Sequence, residues 1–186
     1  MVDGQQAEWT LSEAARLLGE PQHRLIYLCE KGVVQPDLQD AEGRGSSRRF
    51  SARNLLEFGV ALRLRELGIP ASVIGAVLHV LRGFEKAIGR QLPGFKLPGS
   101  LTVGGAPELK VIIGDDQKLY FSLSSGKGKA KTYGGVSVRE LVGPTDDPDR
   151  FKKPLRGVGK EAKHGELLAK VEVSVTGIAK DLGLGA

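Results

Sequence analysis

The sequence predicts an α+β fold with helices first and strands second, and three observations carry that expectation. Apolar residues recur at helical spacing through Leu92, and after Pro93 the period shifts toward the alternation of strands. The basic residues change type at the same place: ten Arg and two Lys through Leu92, then three Arg and twelve Lys. Arginine offers a planar fork for bidentate contacts, whereas lysine is a strongly hydrated point charge. Codon bias does not switch midway along one gene, so two parts with different chemistry are expected. They divide as residues 1–92, a Pro/Gly-rich linker at 93–100, and a small α+β domain at 101–186.

The first helix begins at Thr10-Leu11-Ser12-Glu13, a capping box in which each end of the motif satisfies the other. Leu11, Ala14, Ala15 and Leu18 follow at helical spacing, and Gly19 is a C-terminal stop. Pro21 suits the first turn of a second helix. Leu25, Leu28 and Cys29 form its inner face, Gln22, His23, Arg24 and Tyr27 its outer one, and Gly32 ends it. Val33 to Pro36 is a short extended exit. Asp37 to Ser47 is polar and glycine-containing, which suits a hairpin tip, with Arg48-Arg49-Phe50 as its return strand. Ser51 caps a third helix carrying Leu55, Leu56, Phe58 and Leu62, which stops near Gly68. Pro70 opens a fourth with Val73, Ile74, Val77, Leu78 and Leu81 on one side, fading by Gly89.

Beyond the linker, Leu109–Ile113 and Leu119–Leu123 read as strands joined by a tight turn at Gly114-Asp115-Asp116-Gln117. A weak strand is expected near Val136-Ser137-Val138, and a long loop from Gly143 to Gly165. The run from Leu167 to Val175 alternates as a final strand, and Thr176–Leu182 closes as a helix.

Composition narrows the classes of function. With 40% hydrophobic and 26% charged residues the chain is ordinary globular material. One cysteine, Cys29, excludes an intrachain disulfide framework and a cysteine-rich zinc site. The polar segment Met1–Glu8 lacks the apolar run of a signal peptide, and no stretch has the length of a membrane span. A soluble, cytoplasmic protein with no membrane partner is expected. The formal charge of +5 and pI near 9.4 permit nucleic acid as a partner.

These motifs together resemble the MerR family of bacterial transcription regulators over roughly Trp9 to Ile88. The resemblance rests on Thr10-x-x-Glu13-Ala14-Ala15-x-Leu17-Leu18-Gly19 and on Tyr27 through Glu30-Lys31-Gly32-Val33-Val34-x-Pro36. The wing Arg48-Arg49-Phe50-Ser51 and the break Leu67-Gly68-Ile69-Pro70 continue it in order. It implies a winged helix-turn-helix that binds double-stranded DNA, the second helix in the major groove and the basic wing on the phosphates. Carried over by position, Gln22, His23, Arg24 and Tyr27 face the groove. Arg48 and Arg49 clamp phosphates, and Arg44 extends the wing. Ile26 and Leu28 depart from the family's usual arginine and aromatic, and Phe50 replaces a common tyrosine. Pro93 and Pro98 forbid the long dimer helix that typical members have. A homodimer is still expected, with the second half supplying assembly, effector binding or contact with RNA polymerase.

Other chemistry is weakly represented. His79 and His164 lack companion ligands for a metal, and Asp146, Asp147 and Asp149 lack the glycine and closing Glu of a calcium loop. Gly126-Lys127-Gly128-Lys129 lacks Walker spacing. No catalytic constellation stands out, so neither an enzyme nor a cofactor is expected. Residues 1–92 hold 12 basic and 11 acidic side chains, nearly neutral for a DNA binder. That balance keeps two alternatives in view: an adaptor that recruits a protein, and a phage-type architectural or excision protein that bends DNA.

Overall fold

A computed structural model describes residues 8–38, 47–124, 128–142 and 152–185, with the side chains of residues 153 and 154 set aside. Strand β1 (Trp9–Thr10) leads into helix α1 (Leu11–Leu18) through the expected capping box. The Thr10 hydroxyl accepts from the Glu13 amide at 3.3 Å, and the Glu13 carboxylate accepts from the Thr10 amide at 2.8 Å. Gly19 closes α1 at φ 67°, a left-handed conformation that glycine adopts without strain. Pro21 then caps α2 (Gln22–Glu30), which buries Leu25 and Leu28.

The return strand of the wing finds a different partner from the one the sequence suggests. Strand β2 (Arg49–Phe50) pairs antiparallel with β1, Trp9 opposite Phe50 and Thr10 opposite Arg49. The Phe50 ring points inward as expected and meets Phe58 edge-on, centroids 5.2 Å apart. Ser51 caps α3 (Ala52–Glu66), in which every residue from Asn54 to Leu62 is buried. A single-face stripe would leave half of those exposed. They are covered because α3 touches α1, α2, β2, α4, α7 and β6.

Helix α4 (Ala71–Gly89) follows a Gly68–Pro70 break and buries Ile74, Val77, Leu78, Leu81, Phe84 and Ile88. The 93–100 stretch is packed rather than extended between bodies: Phe95 and Leu97 are buried in the same apolar cluster as α3 and α4. Proline and glycine end the helix there, but the apolar side chains between them still gain by leaving water. A single 3₁₀ turn, Gly99–Leu101, completes the segment.

The second half is one antiparallel sheet of β3 (Glu108–Gly114), β4 (Lys118–Ser124), β5 (Lys131–Ser137) and β6 (Lys170–Ser174), ordered β5-β4-β3-β6. Strand β5 is longer than the weak strand expected near 136–138. Gly134 and Gly135, both at positive φ, take up a register shift against Leu119 and Tyr120 and hide its pattern. Strand β6 is shorter than expected: Leu168 and Ala169 are exposed, and Val175 already belongs to the last helix. Helices α5 (Val138–Leu141) and α6 (Lys152–Gly157) precede β6, so part of the 143–165 stretch expected as loop is helical. Helix α7 (Val175–Asp181) ends the fold one residue from its expected limits.

The two halves share one core. Phe84 of α4 stacks on Phe121 of β4 at 4.6 Å and meets Tyr133 of β5 edge-on at 5.6 Å. Gly59 of α3 admits Ile178 of α7 so closely that a Cβ there would lie 2.5 Å from its methyl. On the outer face of the sheet, Tyr120 donates its hydroxyl to Asp116 and lies under the His164 ring at 5.0 Å. Burial and that hydrogen bond push the Tyr120 phenol up to about 12.

Candidate nucleic-acid interface

Four of the expected groove-facing residues share helix α2. Gln22, His23 and Arg24 are exposed on its first turn, where Pro21 starts the helix and leaves their side chains pointing into solvent. Arg24 is held by Glu20 at 2.9 Å, with more than half of its side chain exposed. An exposed pair of this kind contributes about 0–1 kcal/mol, so a phosphate or a guanine competes for that guanidinium at little cost. Tyr27, one turn further, is only half-buried and not simply outward. The Arg65 guanidinium lies over its ring at 4.5 Å, and the Lys31 ammonium is 5.8 Å from its centroid. A cation over an aromatic face is favourable by about 0.5–1 kcal/mol at exposed sites and fixes the ring's plane.

Arg65 extends the arginine set of α2 and was not foreseen from sequence. It sits at the end of α3 and makes no ion pair among the described residues. With His23, Arg24, Tyr27, Leu62 and Glu66 it lines an open cleft of about 430 Å³ between α2 and α3. Nothing in local spacing brings residue 65 to residue 27; only the packing of α3 against α2 does.

The wing residues divide three ways. Arg49 lies in β2, half-buried and opposite Thr10. Arg48 precedes it, also half-buried. Arg44 falls outside the described residues. The ends of the wing are held together by side chains of α3 and α4. Asn54, fully buried, accepts from the amides of Asp37 at 2.8 Å and Ser51 at 3.2 Å. Its own amide nitrogen donates to the Gln35 carbonyl at 2.9 Å and to Glu57 at 3.3 Å. The Ser51 hydroxyl donates to Asp37 at 2.9 Å.

Glu57, also buried, receives Arg82 of α4 as a fork, Nε to Oε1 at 2.6 Å and Nη2 to Oε2 at 2.7 Å. Asp37 lies 3.6 Å from the same guanidinium. Hydrogen bonding to Glu57 outweighs the opposing effect of burial and holds the Arg82 pKa above its ordinary value. Three residues along α4, Glu85 accepts from Arg53 at 2.8 Å and from the Leu97 amide at 3.0 Å. Local sequence pattern does not single out this set. The available signal was Asn54 and Glu57, two polar residues three apart within an apolar stripe.

Residues 9–81 match the family model of the MerR helix-turn-helix regulatory proteins. The N-terminal region is similar to the MerR helix-turn-helix regulatory proteins over that span. No curated protein shows a significant match to the chain. The matched span covers α1, α2, β2, α3 and the first half of α4, so it includes Asn54 and Glu57 and stops one residue before Arg82. MerR domains belong to DNA-binding regulators. The departure in helix arrangement lies beyond the match. Among the described residues, no helix after α4 exceeds seven residues, so none is long enough for the family's dimer helix. Nor is any described helix long and apolar enough to cross a membrane, and the described residues hold no group of three or more His, Cys, Asp or Glu placed to hold a metal.

Proposed function

We propose that this protein is a sequence-specific DNA-binding transcription regulator whose α2 enters the major groove and whose wing grips the backbone. The observation that carries this reading is the cationic, aromatic-backed surface of α2. Gln22, His23 and Arg24 are exposed together, with Tyr27 braced by Arg65 beside them, inside the MerR-like span. Gln22, His23 and Arg24 supply donors and acceptors to base edges, and Arg48, Arg49 and Arg65 supply charge to phosphates. Arg44 extends the wing. Setting aside the pairs Glu57–Arg82 and Glu85–Arg53 leaves the near-neutral balance of residues 1–92 unchanged, so the reading rests on where the exposed cations sit, Arg24 and Arg65 beside Tyr27.

The protein acts as a homodimer on a palindromic site, because one reading head makes a small interface and paired half-sites mirror a twofold axis. The second half supplies that assembly or the contact with effector or RNA polymerase. The test is a gel shift of an Arg48→Ala/Arg49→Ala double variant on duplex DNA recovered by in vitro selection from a random pool. Loss of two phosphate contacts lowers affinity and reduces the salt slope by about two. Unchanged affinity with an unchanged slope rejects the wing assignment.

A further inference from the structure

We infer that Arg82 is a positioning residue that sets the wing for DNA, acting through Glu57, Asp37 and Asn54 rather than by touching DNA itself. The inference rests on the DNA-binding reading above and names residues that the reading does not include. Its first support is convergence. The backbone before the wing (Gln35, Asp37) and the backbone after it (Ser51) are bonded to the one buried amide of Asn54. That amide is bonded to Glu57, and Glu57 is fixed by the two-pronged contact from Arg82. Asp37 closes the ring by facing Arg82 at 3.6 Å and accepting from Ser51.

The second support is energetic. Glu57 is buried while Arg82 stays about one-third exposed, and burying such a carboxylate in an ion pair gives weak net stability, because desolvation offsets the attraction. What a forked pair adds is direction: both charges are held at one angle and distance. Here the group so held is the base of a loop carrying Arg48 and Arg49. The third support is where Arg82 comes from. Two residues on, Phe84 stacks against the C-terminal sheet, and Glu85 secures the Leu97 amide. One turn of α4 therefore registers the wing on one side and the second half of the protein on the other.

The experiment is a double-mutant cycle on DNA binding, using a duplex recovered by in vitro selection. Replacing the pair outright (Arg82→Met with Glu57→Leu) removes the buried carboxylate together with its cation; Asp37, which also faces Arg82, is partly solvated and keeps its bond from Ser51. It is made in the wild-type background and in an Arg49→Ala background, with circular dichroism confirming the fold. The expected result is an affinity loss of about tenfold in the wild type, the scale of coupling carried by bonded networks. In the Arg49→Ala background the loss is smaller than in the wild type, because one of the two contacts being positioned is already gone. Arg82→Lys, which keeps the charge but not the fork, gives an intermediate loss and carries the test if the paired replacement does not fold. Equal losses in both backgrounds, or none, overturn the inference while leaving DNA binding intact. If Arg49→Ala itself changes neither affinity nor salt slope, the wing reading falls, and the inference with it.

Discussion

The first and second halves of this chain bury different things. Around the wing, Asn54, Glu57 and Glu85 are buried polar groups, each bonded to a partner at 2.6–3.3 Å. In the sheet the core face is Leu109, Val111, Phe121 and Val173, and the ion pairs lie outside, as in Lys170–Glu172–Lys110. Burying apolar groups stabilises a structure without much caring about angle. Burying hydrogen-bonded charges adds little stability but fixes geometry. Under the proposed reading, the part that presents side chains to DNA uses the second device, and the other half uses the first. The arginine-to-lysine switch near Pro93 follows the same division: Arg53, Arg82 and Arg65 make oriented contacts, whereas Lys110, Lys131 and Lys170 make surface pairs.

Each half answers to a different substitution, and the largest effect lies where they meet. Phe84→Ala removes the ring that contacts Phe121 and Tyr133 and costs about 3–5 kcal/mol in urea unfolding. The wild type is expected to unfold in one transition that reports both halves. Two separated transitions would mean that the shared core does not couple them. Asn54→Ala comes next, at about 1–3 kcal/mol, because it takes the acceptor from the part-buried amides of Asp37 and Ser51. A loss under half a kcal/mol would show that the wing base is not held as described.

Smaller effects separate local from collective contributions. Thr10→Ala removes the α1 cap and costs about 1 kcal/mol by thermal melting. Lys110→Ala changes stability by about 0.5 kcal/mol or less, since its partners Glu108 and Glu172 are solvated. The pH dependence has a definite sign. Hydrogen bonds from Lys170 and Lys110 lower the Glu172 pKa, so this small contribution is present above the unfolded carboxyl pKa near 4.3 and fades as pH falls through the lower folded value. Tyr120 behaves oppositely. Its contribution is complete below pH 10 and is lost as pH rises through about 12, a step visible in phenolate absorbance and absent in Tyr120→Phe.

What the sequence made readable was whatever a few neighbouring residues decide. The Thr10–Glu13 capping box, the Gly19 and Gly68–Pro70 breaks, the β3–β4 hairpin and α7 all follow from local spacing. The inward Phe50 and the exposed turn Gln22-His23-Arg24 are where local pattern placed them. Long-range choices were not readable. Arg49–Phe50 takes Trp9–Thr10 as its partner, and Arg65 covers Tyr27, because α3 packs where it does. Glu57 is buried because other elements pack around α3, which local spacing does not show. Strand β5 was hidden for another reason: Gly134 and Gly135 break its alternation where Tyr120 and the 160–162 segment come close.

The most direct test of the account is an amide NMR titration of the full chain with a duplex recovered by in vitro selection. The account predicts that shift changes concentrate on residues 22–27, on Arg48 and Arg49 and on Arg65, with weaker changes at Asp37, Asn54 and Ser51 behind the wing. Changes centred on the β5-β4-β3-β6 sheet, with α2 and Arg65 unmoved, would contradict it.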